Sequence, residues 1–586
     1  MPDYGKIRFL PQPRRVTFES TASTLKGVDF CRLEVTRSLL GSVPGPIVLA
    51  EVAGLPTLED YRLQVAPQAV ILRAGSERGW FYGLHTLKQL AAQCPGNLPL
   101  CRIEDGPDFP NRGFMLDVSR DKVPKLGALL QLIELMAACK YNQLQLYMEH
   151  TYAYAGHEIV WRSASPFHSA DIRKLDAFCR ERFIELVPNQ NTFGHMHRWL
   201  IHEPYRHMAE RPDGGETDLG YRPEPQGLCA TDPASIELVD DLLGQLLPQF
   251  RSRQVNIGCD ETIDLGYGRS KTAVQNLGRG RVYLNYVNQV IELCRNKGYT
   301  VQLWGDIILK YPELVEELPD NCIALNWGYE GDHPFQRETE LFRRAGIPFY
   351  VCPGTSSWNS IVGRTDNMLR NVRNAAEQGR KNNASGFLLT DWGDNGHWQP
   401  LSVVIPALLY GAGVSWNGRG NEAEGLARQI DAIDAGSNGW GRLLLDAGNL
   451  YALPQYHLHN RSVLFDLLQG GDAAIESMRA LTLPGLEKTL RQTRRLLARL
   501  GRLSPPGKDS LLRKDEIHWS LSMLELACLR GLQSKRGSEL KTWRRSALEL
   551  KARFVEIWNL RHRPGGLRDS LKRFEPLVEE KFPPCK

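Results

Sequence analysis

An apolar run that ends in two adjacent carboxylates has the clearest chemical meaning in this chain. The run is VNIGC at residues 255–259, and the acids are Asp260 and Glu261. Successive side chains of a β-strand point to opposite faces, so neighbouring acids on one strand cannot be equivalent members of a pair. If the strand ends at Glu261 on the rim of a parallel barrel, Glu261 can reach a substrate bond while Asp260 addresses a different substrate atom. A lone Asp-Glu pair is also common as a solvated strand end or helix cap, so other residues must decide.

Further side chains that can bind or react fall at the ends of other strand-like segments. In chain order they are Asp117, Arg120, Glu149, His150, His195, His197, Trp304, Asp306, Trp327, Tyr329, Trp358, Asp391, Trp392 and Asp394. Indole faces bind the apolar faces of sugar rings, while carboxylates and arginine hydrogen-bond the hydroxyl edges. One tryptophan at a strand end is usually a core residue, but four at equivalent positions indicate a binding cup. The set favours a glycoside, with Arg120 either binding it or pairing with Asp117.

A metal site is the main alternative for the histidines. His195 and His197 have the spacing of an HxH site, because alternate residues of an extended strand share a face. No lysine or histidine set at the later strand ends completes a metal cage, so we predict no metal and no organic cofactor. Cys259 has no basic neighbour in sequence that would make it a nucleophile, which predicts a buried free thiol beneath the site.

The elements that must position these residues follow a regular alternation. Eight strand-like runs alternate with helical patterns, as expected for βα units around a parallel sheet. The predicted strands are 113–119, 143–149, 183–192, 255–261, 300–306, 323–329, 348–354 and 386–394. Helical patterns include 123–139, 235–250, 281–297 and 366–380. Eight repeats predict an α/β fold of the (β/α)8 TIM-barrel type, with its active site at the carboxyl ends of the strands. A doubly wound open sheet is the alternative, but no GxGxxG follows the first strand.

Three domains are predicted along the chain. Residues 1–108 contain a hairpin pattern, YRLQVAPQAVILRAG, and an amphipathic helix, ERGWFYGLHTLKQLAAQ, and predict an N-terminal α/β accessory domain. The segment GPDFPNRG marks the junction with the barrel, which is assigned to residues 109–418. Helical patterns such as LEKTLRQTRRLLARLGRL dominate residues 419–586 and predict a C-terminal α-helical domain.

Composition excludes several classes of partner. The chain is 42% hydrophobic and 24% charged, as in an ordinary soluble globular protein. Its net charge of +5 is small, and its Lys and Arg residues are scattered among acids, so no nucleic-acid partner is predicted. No segment is apolar enough for a signal h-region or a membrane span, so no membrane partner is predicted. The twelve cysteines are spread singly from Cys31 to Cys585, which predicts a cytoplasmic protein. The oligomeric state is open, with a homodimer among the options.

Four motifs together resemble glycoside hydrolase family 20, the β-N-acetylhexosaminidases. They are NRGFMLDVSR, NTFGHMH, NIGCDET and LTDWGDN, in the family's order on the predicted strands. The N-terminal domain is similar to the family's accessory domain, and LQLYMEHTYAY, FGHMH and GCDE look closest to the hexosaminidase D-like branch. The resemblance covers about residues 55 to 415. It implies exo-acting removal of terminal β-linked GlcNAc or GalNAc from oligosaccharides or glycoconjugates.

The resemblance also implies roles for the acids and the arginine. The family's catalysis is substrate-assisted: the sugar's own acetamido oxygen attacks C1 and forms an oxazolinium, so no carboxylate nucleophile is needed. Glu261 would be the general acid and later the base, and Asp260 would accept the acetamido N–H. Arg120 would bind the hydroxyls at C3 and C4. Trp392 would wall the acetamido pocket, and Asp394, where the family more often has glutamate, would hold O4 or O6.

Other residues match the family less directly. Trp304 and Trp327 look like further pocket walls. Tyr329 is the candidate for steadying the acetamido oxygen, although the family often supplies this tyrosine from strand seven, where this chain has Trp358.

His195 matches the histidine that supports the acid, but Glu149 follows strand two in place of the usual aspartate partner and is predicted to contact substrate. Two alternatives stay open. One is a retaining β-glycosidase that uses Glu149 and Glu261 on unacetylated sugars, and the other is a catalytically silent carbohydrate-binding protein.

Overall fold

The structure, a computed structural model, describes residues 6–19, 24–27, 30–31, 33–435, 438–470, 475, 477–504, 507–536 and 542–578. Three parts follow one another along the chain: an N-terminal sheet domain, a closed barrel and a C-terminal helical region. Among the described residues, none of the helices combines the length and apolarity that a membrane crossing needs.

The N-terminal sheet domain is a mixed five-stranded sheet with one long helix packed on it. The strands of the whole domain are β1 (Arg15–Phe18), β2 (Thr24–Lys26), β3 (Ile47–Glu51), β4 (Tyr61–Val65), β5 (Val70–Ala74), β6 (Asn97–Pro99) and β7 (Cys101–Asp105). The sheet order is β1-β7-β4-β5-β3, and β2 pairs with β6 separately. The predicted hairpin is confirmed, since β4 and β5 pair antiparallel. Helix α1 (Glu77–Gln93) is also confirmed, and the Ser76 side chain caps it by accepting from the backbone N–H of Arg78.

Eight parallel strands close into a barrel, which confirms the predicted fold class. They are β8 (Asn111–Asp117), β9 (Gln143–Met148), β10 (Glu185–Gln190), β11 (Gln254–Asn256), β12 (Thr300–Trp304), β13 (Cys322–Trp327), β14 (Phe349–Cys352) and β15 (Gly386–Asp391). Each strand pairs in parallel with the next, and β15 pairs with β8 to close the ring. All residues of β9, β14 and β15 are buried, as expected for parallel strands whose two faces are both covered.

The helices that follow these strands surround the barrel. They are α2 (Leu126–Ala138), α3 (Glu158–Trp161), α4 (Ser169–Arg180), α5 (His197–Leu200), α6 (Glu203–Arg206), α7 (Pro233–Leu246), α8 (Lys271–Leu277), α9 (Arg279–Asn296), α10 (Phe335–Arg344), α11 (Thr365–Lys381) and α12 (Ile405–Asn417). Start signals in the sequence match the structure at α7, where the Asp232 side chain accepts from the N–H of Ala234 and Pro233 occupies the first turn.

One predicted strand is much shorter than expected. The run at 255–261 forms a strand only over Gln254–Asn256, and the acids follow on a loop. The expectation that alternation along a strand sends Asp260 and Glu261 to opposite faces was therefore wrong. The backbone leaves the extended region because Gly258 has φ of 72°, Cys259 of 65° and Glu261 of 45°.

A layer of amide side chains crosses the barrel interior below the site. Gln145 on β9 donates through Nε2 to Gln302 Oε1 on β12 at 2.7 Å, and these strands are not neighbours in the barrel. Asn189 and Asn256 donate to Gln145 Oε1, each at 3.0 Å. All four side chains are buried, so hydrogen bonding offsets their desolvation and fixes the strands that carry the site.

The C-terminal helical region packs against the barrel. Its helices are α13 (Leu426–Ile430), α14 (Trp440–Gly448), α15 (Val463–Gln469), α16 (Leu483–Arg502), α17 (Lys508–Arg536), α18 (Thr542–Arg561), α19 (Leu567–Lys572) and α20 (Glu575–Val578). A short hairpin, β16 (His457–Leu458) with β17 (Arg461–Ser462), precedes α15. A buried ion pair joins Arg561 Nε to Glu516 Oε1 at 2.6 Å, and Ser402 of the barrel also donates to Glu516.

Buried polar contacts also join the barrel to the N-terminal sheet domain. Lys140 Nζ lies 2.7 Å from Asp105 Oδ2, and both side chains are inaccessible to solvent. Arg112 Nη2 lies 2.6 Å from Glu59 Oε2. Buried apolar residues from all three parts form one continuous core. The barrel is therefore fixed on both sides by packing and by paired charges.

Candidate active site

The loop that carries the two acids is the centre of the site. Asp260 is buried and accepts from Asn191 Nδ2 at 2.9 Å, whereas the Glu261 side chain is 43% exposed. A Cβ on Gly258 would lie 2.6 Å from Asn191 Cγ, so only glycine lets this loop pass beside Asn191. Left-handed backbone at neighbouring non-glycine residues is strained, and such strain is often concentrated at functional sites.

His195 contacts both acids. Its Nε2 lies 3.2 Å from Asp260 Oδ2 and 3.4 Å from Glu261 Oε2. Neither contact has hydrogen-bond alignment, so both are ionic contacts across a short gap. Burial disfavours the charged imidazole, but the Asp260 carboxylate outweighs this effect and raises the pKa of His195 well above its ordinary value. His195 is therefore a cation between two anions.

The charged imidazole in turn keeps both acids ionised. Burial acts to raise the pKa of Asp260, but His195 and Arg120 overcome it, and the net pKa is below the ordinary value. Contact with His195 is also the main reason that the pKa of Glu261 is lowered. Asp260 is thus suited to accept a hydrogen bond as a carboxylate.

Asp306 is a third carboxyl beside the pair. It accepts from the backbone N–H of Glu261 at 3.2 Å and from Trp327 Nε1 at 3.4 Å. Burial, together with the charges of Asp260 and Glu261, raises the pKa of Asp306 to about 7. It therefore holds a proton in weakly acidic solution, while its neighbours are ionised.

Arg120 lies among three further carboxylates of the site. Its Nη1 lies 3.0 Å from Asp117 Oδ2, and Asp117 also accepts from the backbone N–H of Gly393. The pairing with Asp117 that the sequence left open is therefore present. The same guanidinium lies 3.7 Å from Glu149 and 3.6 Å from Asp394, so one planar cation has three acidic neighbours.

Aromatic rings line the site beside Arg120. The guanidinium lies 4.9 Å from the Trp392 ring centroid, and the fully buried Trp304 packs behind Trp392 with ring centroids 5.9 Å apart. Trp327 stacks on Tyr329 with centroids 5.0 Å apart. Trp392 donates through Nε1 to Tyr329 Oη at 2.7 Å, which fixes two walls against each other. These rings belong to a separate apolar cluster at this end of the barrel.

Trp358 lies behind this wall. Its ring is almost fully buried and meets Tyr329 edge-on at 5.0 Å. The structure therefore places Trp358 as a support for Tyr329. Glu149 is likewise drawn inward, because Tyr147 Oη donates to its Oε1 at 2.9 Å.

The HxH motif does not form a paired site. His195 has φ of 52° and points to the acids, whereas His197 begins helix α5 and contacts Pro225 and Glu224. The premise of an extended strand with both imidazoles on one face was wrong. In the part of the chain that the structure describes, no group of three or more His, Cys, Asp or Glu side chains is arranged to hold a metal ion.

Comparison with known proteins identifies the family to which this chain belongs. Residues 109–358 match the model "Glycosyl hydrolase family 20, catalytic domain", and residues 17–106 match "Glycosyl hydrolase family 20, domain 2". The chain belongs to glycoside hydrolase family 20. These matches cover the barrel's first seven strands and most of the N-terminal sheet domain.

Curated relatives of this family 20 protein are distant. It is 29% identical over 231 residues to a β-hexosaminidase of Akkermansia muciniphila, covering 35% of this chain and 46% of the relative. It is 24% identical over 306 residues to hexosaminidase D of Homo sapiens, covering 48% and 60%. The chain thus spans about half the length of these relatives.

A solved structure matches nearly the whole fold. The chitobiase of Flavobacterium johnsoniae superposes with a TM-score of 0.59 at 16% identity, covering 96% of this chain and 98% of that chain. The exo β-N-acetylglucosaminidase of Vibrio harveyi has a TM-score of 0.58 at 16% identity, covering 76% and 78%. At these identities the likeness concerns the fold.

Two residues of this family 20 site were absent from the sequence prediction. Tyr147 lies under Arg120, 5.2 Å from its guanidinium carbon, and also meets Trp392 edge-on. Asn191 bridges Tyr147 Oη and Asp260 Oδ1. Both lie near the carboxyl ends of predicted strands, which is a usable signal, but neutral side chains there are rarely distinguished from core residues.

Cys259 lies directly beneath the acids. Its thiol is fully buried and contacts Thr192 Oγ1 at 3.4 Å and the carbonyl of Ile257 at 3.6 Å. Burial raises the pKa of Cys259 above its ordinary value. The thiol is therefore packed as a small apolar group, as the sequence predicted.

Proposed function

We propose that this protein is an exo-acting β-N-acetylhexosaminidase that removes terminal β-linked GlcNAc or GalNAc by a retaining, substrate-assisted mechanism. One observation carries the proposal: His195 holds Asp260 and Glu261 together, in contact with Arg120 and beside a wall of aromatic rings. Adjacent acids that share one cation but differ in exposure are suited to two different atoms of one sugar.

The first step uses both acids. Ionised Asp260 accepts the acetamido N–H, which directs the acetamido oxygen to C1 and balances the positive charge that develops on it. The bond between C1 and the leaving oxygen breaks as the acetamido oxygen bonds to C1. Glu261 gives its proton to the leaving oxygen, and an oxazolinium ring remains.

The second step returns the enzyme to its starting state. Glu261, now a carboxylate, takes a proton from water as the water oxygen attacks C1. The bond from C1 to the acetamido oxygen breaks, and the acetamido group is regenerated. Two displacements at C1 release the sugar with the β configuration.

Glu261 must gain a proton before the first step, because His195 lowers its pKa in the free site. The Glu261 side chain is 43% exposed, so solvent can supply that proton. Protonated Glu261 is the state that a general acid needs.

The remaining predicted residues bind the sugar in this proposal. Arg120 and Asp394 bind ring hydroxyls, and Glu149, which lies beside the Arg120 guanidinium, contacts the sugar from the same side. Trp327 and Trp392 enclose the acetamido and ring faces, and the fully buried Trp304 supports Trp392 from behind. Tyr329 steadies the acetamido oxygen, and Trp358 supports Tyr329 from behind. The substrate partner is thus the terminal N-acetylhexosamine of a glycan or glycoconjugate.

Hydrolysis of p-nitrophenyl β-glycosides tests the function. We expect turnover of the N-acetylglucosaminide and N-acetylgalactosaminide, and little turnover of the plain glucoside or galactoside. Efficient hydrolysis of the plain glycosides would favour an ordinary carboxylate pair, and no hydrolysis of any substrate would favour a silent binding protein.

Product stereochemistry and a substitution test the mechanism. NMR of the first-formed product should show the β-anomer, and an initial α-anomer would exclude the substrate-assisted route. Asp260→Ala and removal of the substrate's acetyl group should have strongly non-additive effects, because each dismantles the same nucleophilic unit. Additive effects would place Asp260 outside that unit.

We also propose that the protein works in the cytoplasm. Nine cysteines in the described residues are buried free thiols, as in a reducing compartment. Localisation of the tagged full chain by fractionation would test this.

A further inference from the structure

A strained turn follows the last barrel strand and carries Asp394. Asn395, Gly396 and His397 have φ of 55°, 94° and 49°, so three consecutive residues adopt left-handed backbone. Only one of them is glycine. Non-glycine residues in this region are costly and persist when surrounding contacts hold them.

The backbone of this turn decides where the Asp394 carboxylate lies. An aspartate has only two side-chain torsions, so its carboxylate reaches little further than its own Cα allows. Asp394 Oδ1 lies 3.6 Å from Arg120 Nε, and His397 Nδ1 lies 3.2 Å from the carbonyl of Arg120. A small rotation of the turn would therefore move Asp394 relative to Arg120.

Two side chains of the C-terminal helical region hold the carbonyls of this turn. Gln469, at the end of α15, donates through Nε2 to the Asn395 carbonyl at 2.8 Å. Ser570, buried in α19, donates through Oγ to the Gly396 carbonyl. Trp398 donates through Nε1 to the Ser570 carbonyl at 3.3 Å. Gln469, Ser570 and Trp398 are together called the clamp.

The clamp is packed rather than loosely attached. Trp398 is fully buried and lies 4.3 Å from the Phe574 ring and 6.1 Å from the Phe465 ring, both in the C-terminal helical region. A Cβ on Gly396 would lie 2.9 Å from Cγ of Arg573, the residue after α19, so the end of α19 and the turn approach closely.

Helix α19 also reaches the loop that carries Arg120. Asp569 lies 3.0 Å from Arg198 Nη2, which lies 3.5 Å from Asp121 Oδ1. The Gly566 backbone passes so near Asp121 that an added Cβ would lie 1.9 Å from the Asp121 carbonyl. The same helix therefore touches both loops that hold the proposed sugar-binding charges.

We propose that Gln469 and Ser570 are positioning residues for sugar recognition, which act by fixing the 394–397 turn and through it the Asp394 carboxylate. The C-terminal helical region is then part of the specificity apparatus for the hydroxyl edge that Asp394 contacts. The inference rests on the proposed hexosaminidase function.

The test is a double-mutant cycle in the full chain. Gln469→Ala combined with Ser570→Ala should lower kcat/KM on an N-acetylhexosaminide by about 5- to 50-fold, mainly through KM, and should change the gluco-to-galacto ratio at least about 3-fold. In an Asp394→Ala background the same pair of substitutions should cost less than about 2-fold, because their target carboxylate is already gone.

Ser520→Ala is the matched control, since Ser520 is also a buried serine of the C-terminal helical region and donates to a carbonyl within its own helix. It should leave kcat/KM and the epimer ratio unchanged.

Two outcomes would overturn the positioning role. One is an equal loss of kcat/KM in the Asp394 and Asp394→Ala backgrounds, and the other is an unchanged epimer ratio in a variant with normal thermal unfolding. If the double variant unfolds early, Gln469→Ala alone, at a half-buried position, must show the same cycle. Lack of activity in the unsubstituted chain would instead refute the proposed function.

Discussion

Two neighbouring carboxylates, Asp260 and Glu261, share one imidazole as their partner but lie in different surroundings. His195 contacts both acids, yet Asp260 is buried against Asn191 while Glu261 remains partly exposed. A buried carboxylate with a fixed donor keeps its charge, and an exposed one can exchange a proton with substrate and water. The difference in role therefore arises from loop geometry, and not from the alternation along a strand that the sequence suggested.

The acid role of Glu261 predicts a dependence on the leaving group. Glu261→Gln keeps the shape but removes the proton, so kcat should fall roughly 10²- to 10⁴-fold on natural disaccharides. The loss should be clearly smaller on p-nitrophenyl substrates, whose leaving group needs little protonation. Steady-state kinetics on both substrate types provides the measurement. Equal losses on the two would assign Glu261 a role other than that of the acid.

Asp306 predicts a pH-dependent effect on stability. Its folded pKa of about 7 lies above its unfolded value, so the folded state binds more protons between about pH 4 and 7. The contribution of Asp306 to the free energy of unfolding is therefore lost as pH rises through that window. Asp306→Asn should raise the Tm relative to the native chain at pH 8 by a few degrees and should have little effect at pH 5. A Tm difference that is the same at both pH values would contradict the raised pKa.

At the scale of elements, the barrel could be read from the sequence and the catalytic loop could not. Apolar runs of four to seven residues predict parallel strands because both faces of such strands are buried. The turn through Gly258, Cys259 and Glu261 has no such signature, because its left-handed backbone depends on contacts with Asn191 and Asp306, which follow β10 and β12. The predicted end of this strand, residue 261, therefore lies beyond its observed end at Asn256, although the acids themselves were identified.

Gly258 tests how closely the catalytic loop depends on its backbone. Gly258→Ala must fit a Cβ at φ of 72° and 2.6 Å from Asn191 Cγ. We expect a loss of about 1–2 kcal/mol in stability from backbone strain and more than about 10-fold in kcat/KM, because Asn191 would move away from Asp260. Unfolding and kinetics together measure both effects.

Gly244 supplies the matched control for this substitution. It lies within α7 with open space around its missing Cβ, so Gly244→Ala should stabilise the fold by about 0.5–1 kcal/mol without affecting catalysis. Normal activity in Gly258→Ala would show that the loop tolerates another path.

For the whole molecule, composition and pattern predicted three parts but not how firmly they are joined. Contacts such as Lys140 with Asp105, or Arg198 with Asp569, join residues 35 and 371 positions apart in the chain. Single charged residues carry no sequence signal for a buried partner, so the interfaces became visible only in the fold. They explain why one continuous core spans all three parts.

The ion pair between the N-terminal sheet domain and the barrel should be sensitive to loss of one partner. Lys140→Met leaves the Asp105 carboxylate buried without its cation and should cost about 3–5 kcal/mol in the free energy of unfolding. Adding Asp105→Asn should recover part of this loss, because the buried charge is removed. Denaturant unfolding of both variants is the measurement. A single substitution that costs less than about 1 kcal/mol would mean that water reaches Asp105.

Because Gly566 lies so close to Asp121, the sequence at 566 and the backbone of the loop that carries Arg120 should constrain each other in evolution. Any side chain at 566 would collide with the Asp121 carbonyl, and Asp121 itself has φ of 71°. A lineage that keeps the C-terminal helices must therefore inherit both the glycine and the unusual backbone beside Arg120. A lineage that loses those helices is released from both constraints at once, and its arginine loop is free to diverge.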